Sequence, residues 1–117
     1  MHTAYLAATV FFAVLAAFSG IGKLRRDPHQ VHVIHETLGV PLRFLPPLAA
    51  CELAGAGGLL AGIAWLPIGL AAATGLVLYF VGAVVSHLLA RDLKGVGPAV
   101  FMLVLAVGAL ALRILAA

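Results

Sequence analysis

The sequence predicts an all-α membrane protein: a bundle of four transmembrane helices with a short amphipathic helix on the cytoplasmic side, between the first and second helices. Of its 117 residues, 64% are hydrophobic and only 9% are charged. A soluble domain carries roughly 25% charged residues. Four segments reach the length of about 20 apolar residues that a helix needs to cross a bilayer. Together these four segments occupy most of the 117 residues and leave no room among them for a soluble domain.

The four predicted transmembrane helices belong to one domain, residues 1–117, and cover residues 3–22, 44–63, 67–90 and 96–114. The first helix carries no formal charge. The second is interrupted only by Glu52, and the third has His87 as its one strongly polar residue. The net charge of the chain, +3, therefore indicates membrane topology rather than nucleic-acid binding.

The first connector predicts a short helix over residues 28–38. Asp27 is a candidate N-cap, Pro28 suits the first helical position, and Gln30 stands three residues after the cap, as in a capping box. Gly39 favours the end of the helix there. Apolar residues recur between them at helical spacing: Val31, Ile34 and Leu38. We expect this helix to lie on the membrane surface and to cover the bundle.

The positive charges predict the orientation of the bundle. Six of the seven Lys and Arg residues lie in or beside the first and third connectors: Lys23, Arg25, Arg26, Arg43, Arg91 and Lys94. The positive-inside rule places that side in the cytoplasm and both termini on the outer face. Arg113, the exception, can extend to the far interface. We expect a multi-pass protein of a bacterial-type plasma (inner) membrane.

The polar residues inside the predicted helices converge in the cytoplasmic half of the membrane. With 1.5 Å of rise per residue, Glu52 lies roughly 12 Å inside the cytoplasmic surface, and His87 and Ser19 lie about 6 Å deep. Lys23 follows one turn after Ser19, and Tyr79 is two turns from His87 on nearly the same face. We expect Glu52 to face the interior, hydrogen-bonded to His87, Lys23 or Ser19.

Two interpretations of this polar cluster stay open. Interhelical polar pairs hold transmembrane helices together at about 0.6 to 2 kcal/mol each. Alternatively, ionisable groups inside a membrane mark a ligand, proton or ion site, and an acid beside an imidazole is suited to proton transfer. The candidates for ligand binding or proton transfer are Glu52, His87, Lys23, Ser19 and Tyr79.

Small residues around Glu52 predict close helix packing. They follow the small-xxx-small pattern that lets two helix backbones approach, with Ala54, Gly55, Gly58 and Gly62 as the packing residues. A flat ligand fits the same gap, but packing is the simpler interpretation. A chain this small also leaves much lipid-facing surface, so we expect a homo-oligomer, a homodimer along a glycine-rich face.

No metal site is predicted. The short connector helix places His29, His32 and Glu36 on one face, which formally resembles a two-histidine, one-carboxylate site. Histidines on the polar face of an interfacial helix are usually only solvated. The single cysteine, Cys51, forms no internal disulfide and is expected to be a small apolar residue.

Four stretches resemble the DoxX-like family of small four-helix membrane proteins. They are "FSGIGKLRRD" at the end of the first helix, "ACELAGAGGLLAG" in the second, "SHLLARD" closing the third and "GPAVFMLVLA" opening the fourth. The resemblance covers nearly the whole chain and depends on the order and spacing of these stretches. The family's polar and small positions fall on Gly20, Lys23, Glu52, Gly55, Gly58, His87 and Asp92.

The resemblance implies a link to redox complexes. Named family members resemble the small subunit of a thiosulfate:quinone oxidoreductase, and others are membrane partners of a superoxide dismutase and a sulfurtransferase. This sequence has no cysteine pair and no nucleotide-binding motif. Any redox chemistry would therefore need a partner protein or a bound quinone.

Three functions of different classes follow. The first is a subunit that binds a lipophilic, quinone-like molecule through Glu52 and His87, with a redox partner protein that supplies electrons. The second is a stand-alone isomerase or hydrolase that uses these two residues as acid and base on a lipid-like substrate. The third is a structural anchor or assembly factor with no ligand.

Overall fold

The structure, a computed structural model, describes residues 2–116 and is a helical bundle. The elements are α1 (His2–Leu24), α2 (Pro28–Val31, continued by a π-helical turn over His32–Thr37), a 3-10 turn (Leu42–Phe44), α3 (Leu45–Ala61), α4 (Leu66–Leu89) and α5 (Val96–Ala116). The described residues contain no strand. Four helices, α1, α3 (with the preceding 3-10 turn), α4 and α5, are long and apolar enough to cross a membrane. The predicted fold class is confirmed.

The four long helices form a closed ring in which each helix packs mainly on two neighbours. Both α1 and α4 pack along α3 and α5. In the core, the ring centroids of Phe12 and Phe80 lie 6.1 Å apart. Most of the other buried side chains are alanines: Ala13, Ala16, Ala56, Ala73, Ala106 and Ala109. Because alanine is short, the helices approach closely around a thin core.

The closest approach joins the end of α3 to the start of α4. A Cβ atom added to Gly62 would overlap the Cα atom of Gly69, so neither helix has room there for a side chain. One turn earlier, a Cβ atom on Gly58 would lie 2.7 Å from the Cβ atom of Ala72. The small residues of α3 therefore set how near α4 can come.

The helix starts agree with the proline positions. Pro46 and Pro47 lie in the first turn of α3, and Pro67 lies in the first turn of α4. A proline there sacrifices no intrahelical hydrogen bond, because the first N–H groups of a helix have no partner within it. These prolines begin the helices without kinking them.

The short helix α2 forms where the sequence predicts it, and Asp27 is its N-cap. Its Oδ1 atom accepts a hydrogen bond from the backbone N–H of His29 at 2.9 Å. Gly39 has a φ of 75°, the left-handed conformation that ends a helix. Ile34, in the π-helical turn that continues α2, is buried. The helix therefore lies with an apolar face against the bundle.

The capping box predicted for α2 is only half formed. Its second half would require the Gln30 side chain to bond back to the N–H of Asp27, but that N–H donates to the backbone oxygen of Gly22 at 2.9 Å. The Gln30 amide instead donates to the backbone oxygen and to the Oγ atom of Ser19, each at 3.3 Å. Tertiary contact thus replaces a local cap and fastens α2 to α1.

Candidate functional site

Glu52 lies in the centre of the polar cluster and is completely buried, at 0% exposure. Its Oε1 atom accepts hydrogen bonds from Ser19 Oγ at 3.2 Å and from Tyr79 OH at 3.1 Å, and it forms an ion pair with Lys23 Nζ. These partners come from α1 and α4, on either side of α3. One carboxylate oxygen therefore joins three helices.

Lys23 is the counter-charge that keeps a carboxylate inside the bundle. The residue is only 6% exposed, and its Nζ atom also donates to Ser19 Oγ at 2.9 Å. Burial of a lone charge is costly, whereas a hydrogen-bonded pair offsets much of that cost. Lys23 lies in the last turn of α1, where the helix dipole also favours a cation. The second carboxylate oxygen, Oε2, is buried and has no hydrogen-bond partner among residues 2–116.

His87 does not join Glu52 but pairs with Asp92. Its Nδ1 atom lies 2.9 Å from Asp92 Oδ2, and the other oxygen of Asp92 accepts the backbone N–H of Gly95 at 3.1 Å. The chain turns sharply after α4, where Arg91 has a φ of 57°. This turn brings the Asp92 carboxylate back to the imidazole of His87. The structure therefore separates the five predicted candidates. Glu52 lies with Lys23, Ser19 and Tyr79, whereas His87 pairs with Asp92 instead.

A cavity of about 710 Å³ lies between the long helices under α2. Five of its polar wall residues are Ser19, Lys23, Tyr79, His87 and Lys94. Its apolar wall includes Ile34, Leu38, Phe44, Leu48, Phe80, Ala99 and Met102. Glu52 itself is not among the residues that line it. Three side chains that are bonded to Glu52 do line the cavity: Ser19, Lys23 and Tyr79.

A shallower groove of about 740 Å³ runs on the outer surface between α3 and α4. Its lining includes the predicted packing residues Ala54, Gly55 and Gly58, of which Ala54 is exposed. Cys51 and Tyr79 line both this groove and the cavity under α2. This groove is the glycine-rich face along which the sequence predicts a homodimer.

The histidines of α2 lie mostly at the surface. His32 Nδ1 is 2.7 Å from Glu36 Oε2, and both side chains are exposed. His35 Nδ1 is 2.9 Å from the backbone oxygen of Val40. His29 is exposed and contributes to the cavity wall. Within residues 2–116, no group of three His, Cys, Asp or Glu residues is arranged to hold a metal ion.

The sequence predicted no contact within the site for two residues that contribute to it, Gln30 and Asp92. Gln30 was interpreted only as a capping residue, although the structure bonds it to Ser19. Asp92 was assigned no partner, although the spacing of five residues from His87 across a helix end was visible. A polar residue just after a helix end often folds back onto the last turn, and this signal identifies Asp92.

The comparisons agree with the helical bundle and its polar residues. The DoxX-like family matches residues 7–109, a range that contains Glu52, its three partners, His87 and Asp92. No curated protein and no solved structure matches the chain significantly. Because the family match covers most of the sequence and reaches into all four long helices, the chain belongs to the DoxX-like family.

Proposed function

We propose that this membrane protein binds a lipophilic, quinone-like molecule in the cavity under α2 and acts as the membrane subunit of a redox-related complex. The observation that carries the proposal is the cavity itself. It combines an extensive apolar wall with a small number of polar groups near Lys23 and Tyr79. Such a composition is typical of sites for small apolar ligands, which use a few polar contacts for orientation.

The polar groups of the cavity have distinct roles in this proposal. Lys23 uses two of its three N–H donors on Ser19 and Glu52, which leaves one for an oxygen of the ligand head. Tyr79 lies beside it, fixed by its bond to Glu52. Glu52 is a positioning residue: it is fully buried and holds the side chains that touch the ligand.

The geometry favours binding over the two alternative functions. An acid–base enzyme would need Glu52 and His87 to act together on a substrate, but His87 pairs with Asp92 and Glu52 does not line the cavity. A tightly packed interior would favour a structural anchor, whereas a partly open cavity of about 710 Å³ lies between the long helices. A bound quinone would supply the redox chemistry, and a partner protein would supply electrons.

The first test is photolabelling by a quinone analogue with a photoreactive chain, applied to the protein in lipid nanodiscs. Labelling should saturate and should map to the cavity residues of α3 and α4. Tyr79→Phe removes the hydrogen bond that holds Glu52 from the side of α4. Because Glu52 positions the Lys23 ammonium, we expect binding to weaken by up to about tenfold, the equivalent of about 1.4 kcal/mol.

Tyr5→Phe is the matched control for this test. It removes the chain's other tyrosine hydroxyl, at the far end of the bundle, where the Tyr5 ring packs under the guanidinium of Arg113 at 5.1 Å. It should leave labelling unchanged. Non-saturable labelling, or equal losses in the two variants, would contradict the proposed site.

We also propose that α2 and residues 90–95 face the cytoplasm of a bacterial-type cell, because most of the positive charges lie at that end. Arg91→Cys, combined with Cys51→Ala, places the only thiol in the exposed α4–α5 connector. A membrane-impermeant maleimide should label it in inside-out vesicles but not in intact spheroplasts. Labelling in spheroplasts alone would reverse the orientation.

A further inference from the structure

The cavity under α2 contains a positive charge that no protein carboxylate balances. Lys94 lines the cavity and is exposed at its edge, and no Asp or Glu oxygen among residues 2–116 lies within ion-pair distance of it. The other strongly basic group of the wall, Lys23, is paired with Glu52. His87 is likewise paired with Asp92.

The wall of the cavity also contains no acidic residue. Its charged and ionisable members are Lys23, Lys94, His29, His87, the Tyr79 hydroxyl and the Cys51 thiol. Two carboxylates are bonded to residues of the wall. Glu52 accepts from Tyr79, Ser19 and Lys23, and Asp92 is bonded to His87 and to the Gly95 N–H. A ligand head therefore meets ammonium groups and no competing anion.

The remainder of the wall suits a hydrocarbon chain. Side chains from α2, α3, α4 and α5 contribute a continuous apolar lining that includes Ile34, Leu48, Phe80 and Met102. The volume of about 710 Å³ is in the range of sites that enclose a small-molecule ligand. One end of the ligand is thus apolar and the other meets positive charge.

We propose that the same cavity also binds an amphiphile with an apolar chain and an anionic head group, a carboxylate or a phosphate, which contacts Lys94 and the free N–H of Lys23. This inference rests on the proposed lipophilic site and adds a second class of ligand to the neutral quinone-like molecule. An anionic head offsets the charge of Lys94, and its hydrogen bonds to ammonium groups are stronger than those of a neutral oxygen. A cationic head is repelled by the same two groups.

The experiment compares three amphiphiles of one chain length by native mass spectrometry of the full chain in a mild detergent. Palmitic acid and palmitoyl lysophosphatidic acid carry anionic heads, and monopalmitoylglycerol carries a neutral one. We expect at least one of the anionic probes to bind about tenfold more tightly than the neutral probe. Which of the two binds better identifies the head as carboxylate or phosphate.

Variants of Lys94 separate a specific contact from general surface charge. Lys94→Gln should reduce the preference for the anionic probe about tenfold, and Lys94→Arg should retain it. Arg91→Gln is the matched control, because Arg91 lies in the same connector but does not line the cavity. It should leave the preference unchanged.

Three outcomes overturn the inference in different ways. Equal binding of neutral and anionic probes would contradict the preference for an anionic head but leave the proposed lipophilic site intact. Equal losses in Lys94→Gln and Arg91→Gln assign the preference to the charge of the membrane surface. Absence of a stoichiometric adduct with every amphiphile and with the quinone analogue removes the proposed function as well.

Discussion

Glu52→Gln is expected to lower the free energy of unfolding by about 3–5 kcal/mol, the usual result of removing one partner of a buried ion pair. The substitution keeps the size of the side chain and an oxygen for Ser19 and Tyr79. It removes the counter-charge of Lys23, which is only 6% exposed. Reversible unfolding in mixed micelles or by steric trapping in bicelles measures the change.

A double variant tests the cause of this loss. Lys23→Met alone should also destabilise the protein, because it leaves the Glu52 carboxylate buried without its cation. The combination of Lys23→Met with Glu52→Gln removes both charges, so its loss should be clearly smaller than the sum of the single losses. Additive losses would show that the two residues stabilise the bundle independently and would contradict the assignment of an ion pair.

Gly62→Ala is expected to destabilise the bundle by about 1–3 kcal/mol, the typical cost of overpacking. The added methyl group would overlap the Cα atom of Gly69, and a backbone atom cannot move away as a flexible side chain can. The ends of α3 and α4 would have to separate. The same unfolding measurement reports the loss.

Gly57→Ala is the control within the same helix. A Cβ atom at Gly57 has no heavy atom within 4 Å, and the residue is exposed. The substitution should be neutral or stabilising by up to about 1 kcal/mol, because alanine has the higher helix propensity. A loss at Gly57 as large as that at Gly62 would contradict the close approach of α3 and α4.

The fold was predictable because the bilayer sets strong requirements on the chain. A helix that crosses the membrane needs a long apolar run, and the four runs in this sequence are separated by prolines, glycines and charges. The short helix α2 was also predictable, since Asp27, Pro28 and Gly39 mark its ends. These signals are local, so they identify the helices without any knowledge of how the helices pack.

The site was predictable only in its depth. Counting residues along each helix places Ser19, Lys23 and Glu52 in the same half of the membrane, and the structure joins them by hydrogen bonds. The same count places His87 nearby but gives no information about the direction in which its ring points. The turn after α4 determines that direction, because it brings the Asp92 carboxylate to the imidazole of His87.

The cavity under α2 was not predictable from the sequence. Its volume depends on how far α2 lies from the ends of the long helices, and this distance follows from tertiary contacts such as Gln30 with Ser19. The wall residues come from α1, α2, α3, α4 and α5 and show no common spacing in the sequence. The unbalanced charge of Lys94 becomes visible only when the cavity is known.

The measurement that tests the central claim most directly is an experimental structure of the protein purified gently from its native membrane, with mass spectrometry of the lipophilic molecules that accompany it. We expect elongated density under α2 that ends within hydrogen-bond distance of Lys23 and beside Tyr79 and matches the mass of one of those molecules. A closed interior, with side chains filling the cavity and no molecule bound, would contradict the account and leave the Glu52 cluster as a contact that only holds the helices together.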